Sequence, residues 1–319
     1  MSLPLEPPVK PQLALARREL PVGEDLVYEV KLDGFRCLAF VDGEDVFLQS
    51  RSGKELARYF PELVLPPGRY VLDGEIVVRG ADGHEDFDAL GQRIHPAASR
   101  IERLSVETPA VYVVFDLLAR EDESLLERPL SERRAALEEL LAGGAFAAAP
   151  VELMAAVATP EEARAWLEHA EGAIAKERSA PYLPGERKGT FKVKRVRTID
   201  AVVAGWRPGK EEGTVGALIL ALYDGDALRV VGHCSGLSAR EKRRLVGFFG
   251  SYETGERGSA DPSRWSSGKE LEWVALRPEL VVEIDFDHVS AGRIRHGAKL
   301  RRWREDKDPR ECTFDQLAV

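Results

Sequence analysis

The feature that most constrains the fold is a run of alternating apolar and polar residues within residues 26–41. Period-2 alternation predicts a β-strand, because successive side chains of a strand point to opposite faces. The prediction places Glu29, Lys31 and Asp33 on one face of this strand. A lysine between two acids is either part of a surface salt-bridge ladder or a nucleophilic amine in a cleft. The alternation alone leaves both interpretations open.

Other patterns in the first two-thirds of the chain predict a mixture of strands and helices. We expect further strands at residues 46–50, 70–79, 111–118 and 191–203, with Asp-Gly turns at residues 42–43 and 82–83. We expect helices at residues 130–142 and 159–170, the first capped by Ser131. The Pro-rich residues 1–20 predict an extended arm, and the small residues 143–150 predict a loop.

The pattern of residue types changes after about Asp200, where short β-like runs alternate with glycine and charged residues. These runs are residues 201–206, 216–225, 228–236 and 279–289, with a helix expected at residues 238–249. A handful of short strands with one helix is typical of a small barrel such as an oligonucleotide-binding (OB) fold. The sequence therefore predicts an α+β protein with two domains, residues 1–199 and 200–319.

Seven short blocks carry residue types suited to nucleotide chemistry. They are Lys-Leu-Asp-Gly-Phe-Arg (31–36), Ser-Arg-Ser-Gly (50–53), Asp-Gly-Glu (73–75), Phe-Asp-Leu-Leu (115–118), Glu-Gly-Ala-Ile-Ala-Lys (171–176), Phe-Lys-Val-Lys (191–194) and Arg-Glu-Asp-Lys (304–307). Their types, order and spacing resemble the motifs of ATP-dependent DNA ligases, which belong to the covalent nucleotidyltransferase superfamily. The resemblance spans essentially the whole chain. Residues 301–317 are similar to stand-alone bacterial ligases related to the ligase module of bacterial non-homologous end-joining enzymes.

The resemblance implies both a fold and an activity. The fold would be an ATP-grasp-like nucleotidyltransferase domain with antiparallel sheets and helices, followed by an OB-fold β-barrel. The activity would be sealing of nicks in duplex DNA through a lysyl-AMP intermediate, with ATP and Mg²⁺ or Mn²⁺ as cofactors. Two blocks depart from the family pattern: Thr190-Phe191 stands where Trp-Leu is frequent, and Gly-Ala-Ile-Ala (172–175) replaces bulkier residues.

The resemblance also implies which residues form the adenylation site. Lys31 would be the nucleophile, and Asp33 and Arg36 belong to its block. Glu29, through its side chain or its backbone, would recognise the adenine amino group, and Phe115 would stack on the adenine. Considered without its neighbours, Phe115 fits a core residue better than a stacking platform, and Asp73-Gly74-Glu75 fits an ordinary turn better than a catalytic block.

Charged side chains would complete this site. By resemblance, Glu75 and Glu171 would hold the divalent ion and the nucleotide ribose, since carboxylates are hard oxygen ligands. Lys192 and Lys194 would face the α-phosphate, and Arg36 and Arg51 would contact the nucleotide or the nick phosphate. In the C-terminal domain, Arg304, Asp306 and Lys307 would approach the β- and γ-phosphates by motion about a hinge near residues 198–202.

The net charge of −9 conceals two basic segments, residues 186–197 and 293–307, each with a net charge of +5. Local basic patches rather than net charge determine phosphate binding, so nicked duplex DNA remains the expected partner.

No apolar run approaches the roughly 20 residues of a membrane span. Cys37, Cys234 and Cys312 lack zinc-ligand spacing and are expected to be reduced thiols. We expect a monomer of the bacterial cytoplasm, associated with the nucleoid, with DNA repair or end-joining proteins as further partners.

Two other classes of protein share some of these features. An mRNA-capping guanylyltransferase or an RNA ligase would share the lysine block and the two-domain plan. A non-catalytic nucleic-acid-binding module would use only the C-terminal barrel, and it would need neither Lys31 nor the acidic residues Glu75 and Glu171. Incubation with labelled ATP, GTP or NAD, followed by a search for a covalent adduct, distinguishes these classes.

Overall fold

A computed structural model describes residues 3–260, 271–290, 292–295 and 297–317, so Met1 and Ser2 of the expected arm lie outside the described residues. The chain divides into two compact units, Met1–Arg195 and Val196–Val319. We expected the boundary after residue 199, and the division falls slightly earlier. Within the described ranges, every helix is too short or too polar to cross a membrane.

The first unit mixes strands and short helices along its whole length. The strands are β1 (Leu15–Ala16), β2 (Leu26–Val30), β3 (Phe35–Gly43), β4 (Asp45–Ser50), β5 (Gly68–Val78), β6 (Ala110–Arg120), β7 (Glu123–Ser124), β8 (Val151–Leu153), β9 (Ala156–Val157), β10 (Gly172–Glu177) and β11 (Thr190–Lys194). The helices are α1 (Phe87–Gln92), α2 (Ala98–Glu107), α3 (Leu130–Ala142), α4 (Pro160–Arg164) and α5 (Trp166–His169). Short 3-10 helices occupy Ala57–Tyr59 and Ala145–Ala148.

Two sheets organise this unit. One has five strands in the order β1-β11-β10-β2-β9, and the other has the order β4-β3-β5-β6-β7 with β8 beside β6. The apolar core of the second sheet includes Leu72, Ile76 and Leu117, with Leu137 of α3 packed against them. Burial of such side chains stabilises the sheet by about 1.5–3 kcal/mol each. The expected N-terminal arm is largely extended and joins the first sheet through β1, which pairs with β11 in parallel.

The expected strand at residues 26–41 is in fact two strands, β2 and β3, which belong to different sheets. The predicted common face for Glu29, Lys31 and Asp33 is therefore wrong, because residues 31–34 form the loop that crosses between the sheets. Gly34 permits this crossing. A Cβ at this position would collide with the carbonyl oxygen of Ile76 and lie 2.8 Å from Cγ of Glu75, so the loop lies directly against β5.

The expected strand at residues 191–203 is also divided. Strand β11 ends at Lys194, and β12 (Arg197–Pro208) begins in the second unit. The break coincides with the division between the units at Arg195 and Val196. The segment expected to be a hinge, residues 198–202, lies inside β12.

Most helix predictions agree with the structure in position, although two differ in detail. Helix α3 spans the predicted residues 130–142, but its N-cap is Pro129 rather than Ser131, which already lies within the first turn. Residues 159–170 form two short helices, α4 and α5, instead of one. Thr159 caps α4 through a reciprocal capping box with Glu162. The expected loop at residues 143–150 contains a 3-10 helix.

The second unit is built mainly from strands. After β12 they are β13 (Val215–Asp224), β14 (Ala227–Gly236), β15 (Glu253–Ala260), β16 (Leu271–Leu276), β17 (Val281–Phe286), β18 (Val289–Ser290), β19 (Arg293–Ile294) and β20 (Ala298–Trp303). One helix, α6 (Ala239–Phe249), follows β14, and Ser238 caps it. Short 3-10 helices occupy Pro309–Glu311 and Phe314–Leu317.

The main sheet of this unit curls on itself. Its order is β13-β14-β20-β17-β12-β16-β15, and an additional pairing joins β12 to β13. Five strands thus form a ring of consecutive pairings around a core that includes Val202, Leu220 and Ile284. This arrangement is an OB-type domain. Together, the two units confirm the expected α+β fold with a C-terminal OB-type domain.

Candidate active site

A cavity of about 800 Å³ opens in the first unit and is lined by residues from both of its sheets. Many of the residues singled out from the sequence contribute to its wall. They are Glu29, Lys31, Arg36, Arg51, Asp73, Glu75, Phe115, Lys192 and Lys194. The structure therefore brings together blocks that are up to about 160 residues apart in the sequence.

Lys31 sits in the loop between the two sheets and is held at both its backbone and its side chain. Its N–H donates to the carbonyl oxygen of Gly172 at 2.9 Å. Its Nζ lies 2.9 Å from Oε1 of Glu171 and 3.3 Å from the carbonyl oxygen of Leu32. Lys194 also reaches Oε1 of Glu171, at 3.6 Å. Glu171 is not itself among the residues that line the cavity, but it contacts two lysines that are, Lys31 and Lys194.

Glycine at position 172 makes this arrangement possible. Gly172 has a φ of +145°, and a Cβ there would collide with the carbonyl oxygen of Val193 on β11. With no side chain in the way, β10 approaches β11 closely and Gly172 pairs directly with Lys194. The consequence is that Lys31 and Lys194 approach the same carboxylate from neighbouring segments.

Positive charge is concentrated along one face of β11. The alternation of the strand places Lys192 and Lys194 on the same face, and both line the cavity. Desolvation lowers the pKa of Lys192, and the nearby charges of Lys194, Lys31, Arg51 and Arg187 lower it further. Mutual repulsion of this kind is relieved by an anion, so this wall is suited to phosphate groups.

The opposite charge comes from β5, which carries Asp73 and Glu75. Asp73 is fully buried and accepts two hydrogen bonds from Arg36, from Nε at 2.5 Å and from Nη2 at 2.6 Å. Burial raises the pKa of Glu75 to about 7, and the positive charges of Arg36 and Lys31 only partly oppose it. Asp73 and Asp33 raise the pKa of Glu75 further, so negative charge is crowded at this end of the cavity.

Phe115 is almost fully buried, and two cations lie over its ring. The guanidinium carbon of Arg36 is 4.6 Å from the ring centroid, and Nζ of Lys176 is 4.3 Å from it. Lys176 also lies 2.6 Å from Oε2 of Glu29, which is 3% exposed. Glu29 pairs across the sheet with Ile174, which pairs in turn with Lys192, so these three residues form one row.

The remaining predicted residues lie in several places. Asp33 is in the same loop as Lys31, and one of its carboxylate oxygens lies within 4.8 Å of one of Glu171. Arg51 is exposed on the turn after β4 and lines the cavity.

The residues of the last block belong to the second unit. Nη1 of Arg304 donates there to both carboxylate oxygens of Asp200, at 2.9 and 3.0 Å. Its Nε and Nη2 donate to the two carboxylate oxygens of Asp306, each at 2.9 Å. Hydrogen bonding to Arg304 lowers the pKa of Asp306 to about 2, while Lys307 pairs with Glu311 at 2.6 Å.

Sequence reasoning missed several residues that take part in the site. Lys176 was detectable, because it closes the block that begins with Glu171. Arg133 and Tyr182 also line the cavity, and so does Gln12 from the N-terminal arm. These three residues lie outside every recognised block, and their contribution follows only from the packing of distant segments.

Comparison with known proteins agrees with this geometry. Residues 13–194 match the family model of the ATP dependent DNA ligase domain, and residues 211–307 match that of the ATP dependent DNA ligase C terminal region. DNA ligase C2 of Mycolicibacterium smegmatis is 43% identical, and DNA ligase C of Mycobacterium tuberculosis is 42% identical. Each alignment covers 99% of this chain and 96% of the relative. A structure of mycobacterial DNA ligase D complexed with ATP and MES aligns with a TM-score of 0.53 at 27% identity, covering 96% of this chain and 98% of that one.

The chain belongs to the ATP-dependent DNA ligases. Its family models cover most of the chain, and its similar relatives are matched over nearly their full length. The expected activity, ATP-dependent joining of DNA, is therefore confirmed, as are the use of ATP and a DNA substrate. The assignment excludes the capping enzyme and the non-catalytic binding module that the sequence had left open.

Proposed function

We propose that the cavity of the first unit is the adenylation site and that Lys31 is the residue that carries AMP. One observation supports this most directly: Lys31 lines the cavity, and its Nζ lies 2.9 Å from Oε1 of Glu171. Lys192 and Lys194 on the same wall would neutralise a polyphosphate. Among the cavity-lining lysines, Lys31 alone lies in the loop that connects the two sheets.

The reaction then proceeds by three displacements at phosphorus. The neutral amine of Lys31 attacks the α-phosphorus of ATP, the N–P bond forms, and the bond to the bridging oxygen breaks to release pyrophosphate. The two protons lost from the ammonium group end on water. The 5′-phosphate at a nick next takes AMP from Lys31, forming a P–O–P linkage as the N–P bond breaks. Finally, the 3′-hydroxyl attacks the 5′-phosphate, and AMP leaves.

Charge and burial suggest how the nucleotide is oriented. Lys192 and Lys194 would contact the α-phosphate, since their shared face carries the concentrated positive charge described above. Phe115 and Glu29 would border the base at the apolar end of the cavity, where Met154 also lies. Arg36 and Arg51 would contact the nucleotide or the phosphate at the nick. The family motifs and the presence of these residues in the cavity wall support this proposal.

A divalent cation fits the acidic side of this site. Oxygen ligands from Asp33 and Glu171 come within 4.8 Å of each other. Glu75 has a raised pKa because it is buried near other carboxylates, and a bound cation would relieve that repulsion. Glu75 and Glu171 would hold Mg²⁺ or Mn²⁺ through carboxylate oxygens. The ion would neutralise charge that develops on the phosphate oxygens.

We propose that the DNA substrate is a nicked duplex and that the protein binds it as a monomer. We place this activity in the bacterial cytoplasm near the nucleoid, with DNA repair or end-joining proteins as partners. Two segments with a net charge of +5 support phosphate contacts. We expect the affinity for a nicked duplex to fall steeply between about 50 and 200 mM salt through counterion release. Lys299→Ala, at an exposed position in the second segment, should reduce the salt slope by roughly one. A flat salt dependence would contradict this mode of binding.

The adenylation site itself is tested by adduct formation. The protein is incubated with labelled ATP, GTP or NAD, and we expect a covalent adduct with ATP that is labile to acid and stable to alkali. Lys31→Ala should abolish the adduct in a folded protein. Lys188→Ala is the matched control, because Lys188 is 74% exposed and pairs with Glu186 at the surface. An adduct that persists in Lys31→Ala would overturn the assignment.

A further inference from the structure

A chain of buried hydrogen bonds extends from Arg36 to the N-terminal arm. Arg36 donates twice to Asp73, and Oδ2 of Asp73 also accepts a hydrogen bond from the hydroxyl of Tyr182 at 2.7 Å. The Tyr182 hydroxyl accepts in turn from the backbone N–H of Gln12 at 2.9 Å. Asp73 is 0% exposed and Tyr182 is 3% exposed, so this chain is screened from solvent.

The direction of these hydrogen bonds follows from their chemistry. A backbone N–H can only donate, so the contact with Gln12 occupies a lone pair of the Tyr182 hydroxyl. The hydroxyl proton is then directed to Asp73. Burial and the negative charge of Asp73 raise the pKa of Tyr182 well above its ordinary value, so the hydroxyl keeps this proton. Tyr182 thereby fixes one oxygen of the carboxylate that orients the guanidinium of Arg36.

Gln12 is itself fixed by three further contacts. Its Nε2 donates to the carbonyl oxygen of Lys188 at 2.6 Å, and its Oε1 accepts from the N–H of Leu183 at 3.3 Å. Its own carbonyl oxygen accepts from Nη2 of Arg36 at 3.4 Å. The arm therefore contacts Arg36 directly and also acts on it through Tyr182 and Asp73.

We propose that Tyr182 and Gln12 are positioning residues that hold the Arg36 guanidinium at the wall of the adenylation cavity. This inference rests on the proposed function, in which Arg36 contacts a phosphate of the nucleotide or of the nick. The side chain of Arg36 is 25% exposed and would swing among several rotamers if Asp73 were free to turn. The hydrogen bonds from Gln12 to Tyr182 and from Tyr182 to Asp73, here called the buried relay, restrict the Arg36 guanidinium to one orientation. A contact with phosphate in the transition state requires such a fixed orientation.

Tyr182→Phe tests the relay because it removes one hydroxyl and keeps the aromatic ring. Lysyl-AMP formation and the sealing of a pre-adenylated nick are each measured in single turnovers. Arg36→Ala identifies which of the two steps depends on Arg36, and we expect Tyr182→Phe to lower the maximal rate of that step about tenfold. In the lysyl-AMP assay, the KM for ATP should change less than about threefold. Tyr70→Phe is the matched control, because this buried tyrosine donates its hydroxyl to the carbonyl oxygen of Pro66 and makes no hydrogen bond to Arg36 among the described residues.

A double-mutant cycle with Arg36→Ala separates positioning from general destabilisation. If Tyr182 acts through Arg36, Tyr182→Phe should cause no further loss in the Arg36→Ala background. A tenfold loss in both backgrounds would show a merely structural role and overturn the inference. Parental rates for Tyr182→Phe would also overturn it. Parental rates for Arg36→Ala would instead refute the proposed role of Arg36 itself, which makes the two failures distinguishable.

A second variant keeps the test decisive if Tyr182→Phe does not fold. Gln12→Ala retains the backbone N–H but removes the two side-chain contacts that fix it, those with Lys188 and Leu183. We expect a smaller loss, about threefold, in the same kinetic step and the same absence of effect in the Arg36→Ala background. Parental rates for a folded Gln12→Ala would contradict the part assigned to the arm.

Discussion

A single carboxylate oxygen of Glu171 lies between two ammonium groups, 2.9 Å from Nζ of Lys31 and 3.6 Å from Nζ of Lys194. The Glu171 side chain is only 6% exposed, so solvent screens these interactions weakly. Glu171 therefore controls the position of the proposed nucleophile as well as the charge beside it.

Replacing Glu171 by alanine should slow the formation of lysyl-AMP by a factor of about 100 or more, because Lys31 loses its anchor and a divalent ion loses a carboxylate ligand. The measurement is a single-turnover assay with labelled ATP across a range of Mg²⁺ concentrations. Glu168→Ala is the control, since the Glu168 side chain is 76% exposed. Near-parental adenylation by Glu171→Ala would leave Glu171 with a structural role only.

Gly172→Ala should destabilise the first unit by about 3 kcal/mol or more, because its Cβ would combine backbone strain with a collision at β11. Gly83→Ala isolates the backbone contribution. Gly83 has a φ of +83°, but a Cβ added there would meet no atom within 4 Å, so we expect a loss of only about 1 kcal/mol. The free energies of unfolding are compared in urea. Equal losses would mean that β10 can move away from β11 at little cost.

Arg304→Ala combined with Lys307→Ala should slow the formation of lysyl-AMP strongly, roughly 100-fold, because cations are needed opposite the attacking lysine as pyrophosphate leaves. The same variant should seal a nick that already carries 5′-adenylate at a rate much closer to the parent. Both rates are measured in single turnovers. Arg310→Ala is a suitable control, since its side chain is 62% exposed. Equal loss in both assays would assign the block to folding or to DNA binding.

The three cysteines should resist alkylation in the native protein. Burial raises the pKa of Cys234 to about 11 and that of Cys312 to about 12, and it raises the pKa of Cys37 as well. At pH 8 a thiol with a pKa of about 11 is roughly 0.1% thiolate, so its reaction with iodoacetamide is slow. Reactivity should rise about tenfold for each pH unit below the raised pKa, while all three thiols react in denaturant at pH 8. Rapid native labelling would show that these sites open readily.

Much of the fold and of the proposed site could be predicted from local sequence. Helix α3 and the strands β4, β5 and β6 follow from short-range patterns. Six of the seven blocks contribute residues to the cavity wall, whereas the block at residues 304–307 lies in the second unit. Lys31 was misplaced on a strand because apolar alternation continues through residues 31–34 in the sequence. The strand pairings show that the chain changes sheets there, because β2 and β3 belong to different sheets.

Contacts between distant segments could not be predicted in this way. Tyr182 and Gln12 lie 170 positions apart, and no periodicity links them. The pairing of Arg304 with Asp200 spans 104 positions and involves an acid at the start of the second unit. Such contacts depend on how strands are ordered in a sheet, and a local pattern of residue types does not specify that order.

The pairing of the N-terminal arm with the last strand of its unit has a consequence for synthesis on the ribosome. Gln12 contacts Lys188, which is added 176 positions later, or roughly 9–35 s later at typical elongation rates. Until β11 emerges, β10 has an unpaired edge and the arm has no strand to join. A nascent chain that has made β10 but not β11 exposes this strand edge to neighbouring chains. Slow translation between residues 177 and 190 should therefore increase its aggregation and its demand for chaperones.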